Sequence, residues 1–413
     1  MLALICASTA CTALVFQGFP TFFAFLQAEY GLTRAAVGLY SSAAEVGTFA
    51  TFIVGGWAAD AFGLRRVLVI CQALIGLVCI GFALAPTYGS GLTVLLGFGL
   101  VFGFSSPAAS LGVLYWFSAR TRATAMGIRQ TGVSIAGIAS AALMPAISLA
   151  YGWRTGVALM GVANLVVAVL LLWYRDPPAD DRRSPIQGRQ EAGSGRLPRG
   201  QMRPSWSQLR PLMGKGELLV VNSFAIILFV DQYVVVGYLI LYLHEHLEVS
   251  LVAGGFILAM AQTGGFAGRI AWGVISDRAL NGRRLPGLQL AGGIAAALLA
   301  IVALLPAGTP FFVLVLLAMG LGFTAMAWHG LRQVLVLELV PREVAGLALG
   351  VSQTFAEIGP VFGPPLFGAL ADAAGYRPAW LVMAALTTVV TVAISFAVEE
   401  PRRVTSATAG QDS

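Results

Sequence analysis

Six ionisable side chains lie deep inside the long apolar segments of this 413-residue sequence. A charged side chain at the centre of a membrane costs about 2.5–3.5 kcal/mol on insertion scales, so each is expected to face a partner or a water-filled cavity. Carboxyl groups in such a place can exchange protons, and guanidinium groups can bind anions. Three of the six are acids near the centres of their segments, and three are arginines closer to one end: Glu45, Asp231, Glu357, Arg129, Arg269 and Arg332.

The three acids are candidates for reversible protonation. Burial disfavours the charged form of a carboxyl group, so Glu45, Asp231 and Glu357 are expected to hold a proton when enclosed and to release it when a cavity opens. The alternative is that each acid is hydrogen-bonded to, or paired with, a neighbouring helix. A single sequence does not fix which face of its helix each acid occupies, so both interpretations stay open.

The arginines are candidates for anion binding, because a guanidinium group in a cavity wall holds a carboxylate through two parallel hydrogen bonds. For Arg129, Arg269 and Arg332 the alternative is that the side chain extends to the lipid headgroups. His329 has an ordinary pKa near neutrality and could carry a proton or be a hydrogen-bonded buried histidine. Tyr233 is expected either to line a cavity or to belong to an aromatic belt at the membrane surface.

The elements that must position these groups are membrane-spanning helices. Apolar residues make up 58% of the chain and charged residues 11%, with a mean hydropathy of +0.82; a soluble domain is nearer 45–50% apolar and about 25% charged. This composition excludes a secreted domain, a disordered chain and an ordinary cytosolic enzyme. An open strand edge finds no partner in lipid, so the runs are predicted as helices. The twelve predicted spans are 2–26, 35–59, 67–85, 91–117, 123–149, 155–174, 218–243, 250–275, 287–305, 310–337, 344–371 and 376–398.

One long polar stretch, from residue 175 to 217, is rich in Pro, Gly and Ser and predicts a linker. It divides the chain into a first bundle (1–174), a second bundle (218–400) and a short tail (401–413). Arg and Lys residues number nineteen on the linker side of the membrane and three on the opposite side. The excess predicts that the linker, the tail and both termini are cytoplasmic.

The two halves repeat. Three pairs of short segments match in order, the first two at an offset of 223 and the third at 217: Ala125–Thr131 with Ala348–Thr354, Gly152–Arg154 with Gly375–Arg377, and Gly56–Asp60 with Gly273–Asp277. An even number of helices per half preserves the orientation, so the repeats are predicted to be parallel. Glycine pairs four residues apart predict close helix packing in Gly99–Gly103, Gly264–Gly268 and Gly359–Gly363, and nearby prolines predict a kinked eleventh helix.

The segment Gly56-Trp-Ala-Ala-Asp60-Ala-Phe-Gly63-Leu-Arg65-Arg66 resembles the G-x-x-x-D-R-x-G-R-R signature of the major facilitator superfamily, although Ala61 and Leu64 replace two arginines. This resemblance implies twelve helices in two bundles and transport by alternating access, with the substrate between the halves. It also implies a charged gate on the cytoplasmic side, formed by Asp60, Arg65, Arg66, Asp277, Arg278 and Arg284.

A narrower resemblance is to the monocarboxylate transporters and the oxalate:formate antiporters. It is carried by Tyr115-Trp-Phe-x-x-Arg120-x-Arg122 and by Gly268-Arg269-x-x-x-Gly273-x-x-x-Asp277-Arg278. In those relatives the arginine of the eighth helix binds the substrate carboxylate, which implies this role for Arg269. The oxalate antiporter also uses a lysine in its eleventh helix, and this chain has none there.

The sequence therefore predicts a secondary transporter for a small, monocarboxylate-like organic anion, coupled to protons or to a counter-substrate. The alternative is a proton-coupled exporter of a neutral or cationic compound on the same fold. Neither a catalytic motif nor a phosphate-binding glycine loop is present, so we expect no enzyme and no ATP-driven pump. No cofactor, metal or nucleic-acid partner is expected. The expected partners are the substrate, protons and the lipid bilayer, for a monomer in the inner or plasma membrane.

Overall fold

A computed structural model of the chain describes residues 1–117, 122–175, 216–340 and 345–398. Within these ranges all regular structure is helical, which confirms the predicted fold class. The predicted tail (401–413) lies outside the described residues, as does the predicted linker apart from residues 175, 216 and 217. The described part contains twelve helical spans, which we number α1 to α12.

Three of these spans are interrupted and are given two-part labels. The first span of the first half is α1a (Leu2–Gly18), which continues through a 3₁₀ turn (Phe19–Phe22) into α1b (Phe23–Tyr30). The other spans of this half are α2 (Arg34–Phe62), α3 (Leu64–Ala83), α4 (Tyr88–Trp116), α5 (Arg122–Tyr151) and α6 (Trp153–Leu170). The helices of the second half are α7 (Gly216–Leu247), α8 (Leu251–Val274), α9 (Leu285–Ala303), α10a (Phe311–Ala325), α10b (His329–Glu338), α11a (Ala345–Ala356), α11b (Ile358–Ala374) and α12 (Tyr376–Ala397).

Ten helical spans of the described residues are long and apolar enough to cross a membrane. Glu45 lies in α2, and Glu357 lies at the break of α11. Polar side chains accept hydrogen bonds from the first turns of three spans, with Thr33 at α2, Thr87 at α4 and Ser250 at α8. These caps replace the partners that the first backbone N–H groups lack in lipid.

Two helices differ from their predicted form. The prediction of one continuous tenth helix (310–337) is wrong in one respect, because Met326–Trp328 form a turn between α10a and α10b. The predicted kink of the eleventh helix is confirmed as a break at Glu357. Pro360 has no N–H to donate to the carbonyl of Ala356, so the helical hydrogen-bond pattern is interrupted there.

The apolar core is built separately in each half. Two clusters of buried apolar side chains lie within α1–α6 and two within α7–α12. Among the described residues Ala141 of α5 joins one cluster of the other half, and the partly buried Ala24, Ile138 and Ala142 pack against it. The turns between α5 and α6 and between α11 and α12 are made by Gly152 and Gly375, with φ of 82° and 87°. These glycines are 223 residues apart, so the two six-helix bundles repeat the predicted parallel arrangement.

Glycines bring the helices into close contact at equivalent places in the two bundles. Gly99 of α4 lies against the carbonyl of Ala44 in α2, and Gly322 of α10a lies against the carbonyl of Ala261 in α8. The offsets of 223 and 217 relate these two contacts. The predicted packing role of the glycine pairs is confirmed, because a methyl group at Gly99, Gly264 or Gly359 would overlap the backbone oxygen of Ala44, Met319 or Ile226.

We expect Gly99→Ala to destabilise the protein by about 1–3 kcal/mol, because the added methyl group has no space beside Ala44. Gly97→Ala, in the same helix, is the control, since nothing lies within 4 Å of its added methyl group. That change should be neutral or stabilising by about 0.5–1 kcal/mol. Thermal unfolding of both variants in detergent checks the prediction, and equal midpoints would contradict it.

Candidate functional site

The two bundles meet along two helix pairs that the repeat makes equivalent, α2 with α11 and α5 with α8. Along α2 and α11b, Gly38 lies against Pro364, and the Ser42 hydroxyl donates to the carbonyl of Val361. Along α5 and α8, Gly137 lies against Gln262, and Ser134 contacts Arg269. The repeat offsets relate Glu45 to Gln262 and Glu357 to Ser134, so equivalent positions carry acids in one pair and neutral groups in the other.

Glu45 and Glu357 face each other across the α2–α11 interface. Contacts between Gly38 and Pro364 and between Ser42 and Val361 set the register of α2 against α11b. One helical turn beyond these contacts lie Glu45 in α2 and Glu357 at the break of α11. The two carboxyl groups are close enough to interact electrostatically, and the Tyr233 hydroxyl of α7 lies beside the Glu45 carboxyl. Glu45 is only 4% exposed. The structure thus brings together three of the predicted site residues.

A hydrogen-bonded network extends from Glu357 into the second bundle. The Gln353 amide donates to Glu357 Oε1 at 2.6 Å, and Arg332 donates to Gln353 Oε1 and to the Ser352 hydroxyl, both at 2.6 Å. Ser352 in turn donates to Asn222 of α7 at 2.6 Å. Arg332 is fully buried, so its side chain does not extend to the headgroups. This network holds the free end of α11a and fixes the position of Glu357.

Arg269 lies at the equivalent α5–α8 interface and is held by neutral groups. Its Nη1 donates to the Ser134 hydroxyl at 3.1 Å, and its Nε donates to the Met326 carbonyl at 3.4 Å. That carbonyl belongs to the break between α10a and α10b. Among the described residues no carboxylate lies within ion-pair distance of Arg269. Two of the five guanidinium N–H groups are used, so Nη1 and Nη2 keep donors for a carboxylate.

Two further predicted residues lie on α5, beside Cys6 of α1, and on α10b. Arg129 of α5 is 8% exposed, and its Nε has no hydrogen-bond partner in the described part of the chain. His329 begins α10b, stacks on Phe229 at 4.8 Å between ring centroids, and lies close enough to Arg269 and Arg332 to feel their charge. Its Nδ1 is buried and finds no partner among the described residues. Arg269 is therefore the group that makes the α5–α8 side of the molecule electropositive.

A cavity lies between the two bundles, beside the acidic interface. It has a volume of about 50 Å³ and lies between α1, α2, α4 and α7. Aromatic rings and polar side chains form its wall, including Phe16, Phe19, Phe98, Tyr40, Gln17, Ser41, Glu45, Gln232 and Tyr233. Tyr233, Phe229 and His329 form a chain of ring contacts that leads from this cavity towards Arg269.

Asp231 is not part of this group. Its carboxylate accepts a hydrogen bond from the Thr387 hydroxyl of α12 at 2.7 Å, and the residue is fully buried inside the second bundle. Gln232 and Tyr233, its neighbours along α7, line the cavity instead. The contact with Thr387 matches the alternative interpretation of this acid, a side chain bonded to a neighbouring helix.

Two of the residues predicted to form the cytoplasmic gate, Arg284 and Arg65, have contacts inside their own bundles. Arg284 donates to Asp277 at 2.5 Å and to the Ser276 hydroxyl at 2.7 Å, and Arg65 donates to the carbonyl of Leu172. Arg66 and Arg278 are exposed. The side chain of Asp60 lies outside the described part. The gate across the bundles therefore stays a prediction.

The opposite end of the interface is closed by a set of contacts that the sequence did not predict. Arg34 donates to Glu245 at 2.7 Å and lies 3.6 Å from Asp372, whose carboxylate accepts the backbone N–H groups of Arg34 and Ala35 at the start of α2. The Tyr238 hydroxyl lies 2.8 Å from the Arg34 carbonyl. We call Arg34, Glu245 and Asp372 the outer latch, because they join α2 to α7 and α11b on the predicted outer side.

Comparison with known proteins gives a consistent result. A family model described as Major Facilitator Superfamily matches residues 5–351 and 298–413. The chain is 28% identical, over 90% of its length and 79% of the relative's, to an uncharacterized MFS-type transporter of Mycobacterium tuberculosis. It is 24% identical, over 85% and 80%, to the probable galactarate/D-glucarate transporter GudP of Bacillus subtilis. A bacterial homolog of the human lysosomal transporter Spinster, in an inward-facing and occupied conformation, superposes with a TM-score of 0.77 at 16% identity over 96% of both chains.

We expect Arg34→Ala to open the outer end of the interface, because it removes the side-chain bonds to Glu245 and Asp372. The measurement is the rate at which a cysteine at Ser42, buried behind this latch, reacts with a maleimide in detergent, in a chain whose native cysteines are replaced. A loss of about 1 kcal/mol predicts a roughly 5-fold faster reaction. Arg377→Ala, an exposed arginine near the same end, is the control, and equal rates in both variants would contradict the latch.

Proposed function

The chain belongs to the major facilitator superfamily of membrane transporters, and we propose that its substrate is a small organic anion, moved by alternating access. The observation that carries this proposal is Arg269, a guanidinium group at the bundle interface that has only neutral partners among the described residues. An enclosed cation without a counter-charge is costly, and a carboxylate or similar anion supplies the missing charge. The named substrate of GudP, a sugar dicarboxylate, is chemically of this class.

Alternating access requires two interfaces that open in turn, and the parallel repeat supplies them. The α2–α11 and α5–α8 pairs are equivalent by the repeat, so each bundle contributes one helix to each interface. The outer latch supports a resting state closed on the predicted outer side. We propose that the substrate enters from the other side in this state, or leaves towards it, in a multi-pass protein with cytoplasmic termini.

We propose that Glu45 and Glu357 couple the transport to protons. Two carboxyl groups enclosed side by side cannot both be ionised at low cost, so the pair is expected to hold one proton while the bundles are in contact. Glu45 belongs to the first bundle and Glu357 to the second. A rocking movement that separates them removes this constraint and releases the proton.

A second candidate, a transporter of a neutral or cationic compound, has one observation in its favour. The cavity is lined by aromatic rings and by Glu45, and the described residues that line it include no arginine or lysine. Aromatic faces with a nearby carboxylate attract cations. Binding tests must therefore include a lipophilic cation beside the organic acids.

We expect Arg269→Gln to weaken the binding and uptake of organic acids by about 10–100-fold, because a charge-assisted hydrogen-bonded pair contributes about 1.5–3 kcal/mol. The measurement is substrate-induced thermal stabilisation of the purified protein with D-glucarate, pyruvate and tetraphenylphosphonium. Arg377→Gln, at an exposed position, is the control. Stabilisation by the cation alone, unaffected by Arg269→Gln, would reject the anion in favour of the second candidate.

We expect Glu45→Gln and Glu357→Gln to abolish the acceleration of uptake by an imposed pH gradient, because an amide cannot exchange a proton. Counterflow of substrate between the two sides of proteoliposomes, which needs no net proton movement, should persist. Asp231→Asn is the matched comparison and should keep the response to the gradient, since Asp231 bonds to Thr387 away from the pair. Uptake by the Glu45→Gln variant that still follows the gradient would contradict this coupling.

A further inference from the structure

Arg129 of α5 is a buried cation whose charge nothing balances in the part of the chain that the structure describes. It is 8% exposed, and its Nε is enclosed without a hydrogen-bond partner. Its guanidinium group forms neither a hydrogen bond nor an ion pair with any described residue. The ionisable group beside it is the Cys6 thiol of α1, and a thiol is a weak acceptor. An unpaired charge in such a place is costly, and an anion would remove that cost.

The parallel repeat shows which group the first bundle lacks. The offset of 223 relates Arg129 to Ser352 and Ala109 to Arg332. In the second bundle, Arg332 donates to the Ser352 hydroxyl and to Gln353 Oε1, both at 2.6 Å. In the first bundle the arginine occupies the position of the serine, and the position of the other arginine holds a buried alanine without a polar side chain. The protein therefore supplies acceptors to one of these arginines and leaves the other to a ligand.

Arg129 lies near the predicted cytoplasmic end of the first bundle. It follows Arg122, the first residue of α5, by seven residues, which is about 10 Å along the helix. Ser134, which accepts a hydrogen bond from Arg269, lies five residues further along α5. Five residues turn a helix by about 140° and advance it by about 7.5 Å. The two arginines therefore meet α5 at different depths and on different faces, so they form separate sites.

We infer that Arg129 is a second anion site, at which the transported anion binds on the predicted cytoplasmic side before it reaches Arg269 or after it leaves. The inference rests on the proposed function and adds a binding step to it. The Nη1 and Nη2 groups of a guanidinium form a fork that fits the two oxygens of a carboxylate. A side chain that is 8% exposed does not extend to the lipid headgroups, so the expected ligand is a free anion and not a lipid phosphate.

The stability of the ligand-free protein distinguishes a ligand site from a structural arginine. Arg129→Gln removes an unpaired charge, so it should leave the midpoint of thermal unfolding in detergent unchanged or raise it. Arg332→Gln is the matched control, because it removes a buried arginine that is bonded to Ser352 and Gln353. That variant should lower the midpoint by at least about 2 °C. A similar decrease in both variants would overturn the inference, since Arg129 would then have a structural role.

The binding test uses pyruvate as the probe anion and the full-length protein in detergent at constant ionic strength. We expect pyruvate to raise the unfolding midpoint of the wild-type protein, and Arg269→Gln to keep part of this increase. Adding Arg129→Gln to that variant should raise the pyruvate concentration needed for half of the remaining effect by about 10–100-fold. Arg129→Lys in the same background keeps the charge and should retain a response. Arg377→Gln, at an exposed position, is the control.

The outcomes separate this inference from the proposed function. A response that Arg269→Gln alone abolishes would overturn the Arg129 site and leave the anion transporter intact. A response that Arg129→Gln abolishes and Arg269→Gln does not change would support the Arg129 site and reject the proposed role of Arg269. Stabilisation that depends on Arg129 and is produced by phosphatidylglycerol in mixed micelles, but not by pyruvate, would overturn the inference in favour of a lipid headgroup. A wild-type protein that responds to neither probe would also overturn it.

Discussion

Each ionisable side chain enclosed between these helices needs a compensating partner, because the surrounding lipid and apolar core supply none. Arg332 makes short hydrogen bonds inside the second bundle, to Ser352 and Gln353, while its Nε has no partner among the described residues. Arg269 meets this requirement only in part, through Ser134 and the carbonyl of Met326. Arg332 therefore holds a helix in position, whereas Arg269 keeps donors for a ligand. The sequence places both arginines at a similar depth in their predicted helices.

The repeat explains how one fold supplies two chemically different interfaces. Packing positions are the same in both bundles, as the contacts of Gly99 and Gly322 with backbone carbonyls show. The polar positions differ, since the counterparts of Glu45 and Glu357 are neutral: Gln262 and Ser134. The bundles therefore pack alike while two acids lie at the α2–α11 interface and Arg269 lies at the α5–α8 interface.

Composition and repeats predicted most of the fold, because span length, apolar content and the recurrence of whole segments are properties of the sequence itself. The contacts between distant segments were not predictable. The break in the tenth helix has no proline at Met326–Trp328, and its freed carbonyl is bonded by Arg269, 57 residues away. The partner of Asp231 is Thr387, 156 residues away. In the sequence, Arg34 contributed only to the count of basic residues that predicts the membrane orientation, and nothing near it indicated a contact with Glu245. Gln353 lies in the repeated segment Ala348–Thr354, and this repetition was a signal that could have identified it as a candidate site residue.

The two helix breaks connect the shape of the second bundle to the groups at its interfaces. A carbonyl freed inside a membrane protein must be satisfied by protein or by enclosed water, and the Nε of Arg269, 3.4 Å from the Met326 carbonyl, is one donor at the break in α10. The break in α11 lies at Glu357, whose carboxyl is held by Gln353. A movement that draws Arg269 away from Met326 removes that donor. The position of one guanidinium group and the shape of α10 are therefore linked, and a ligand that moves the first also biases the second.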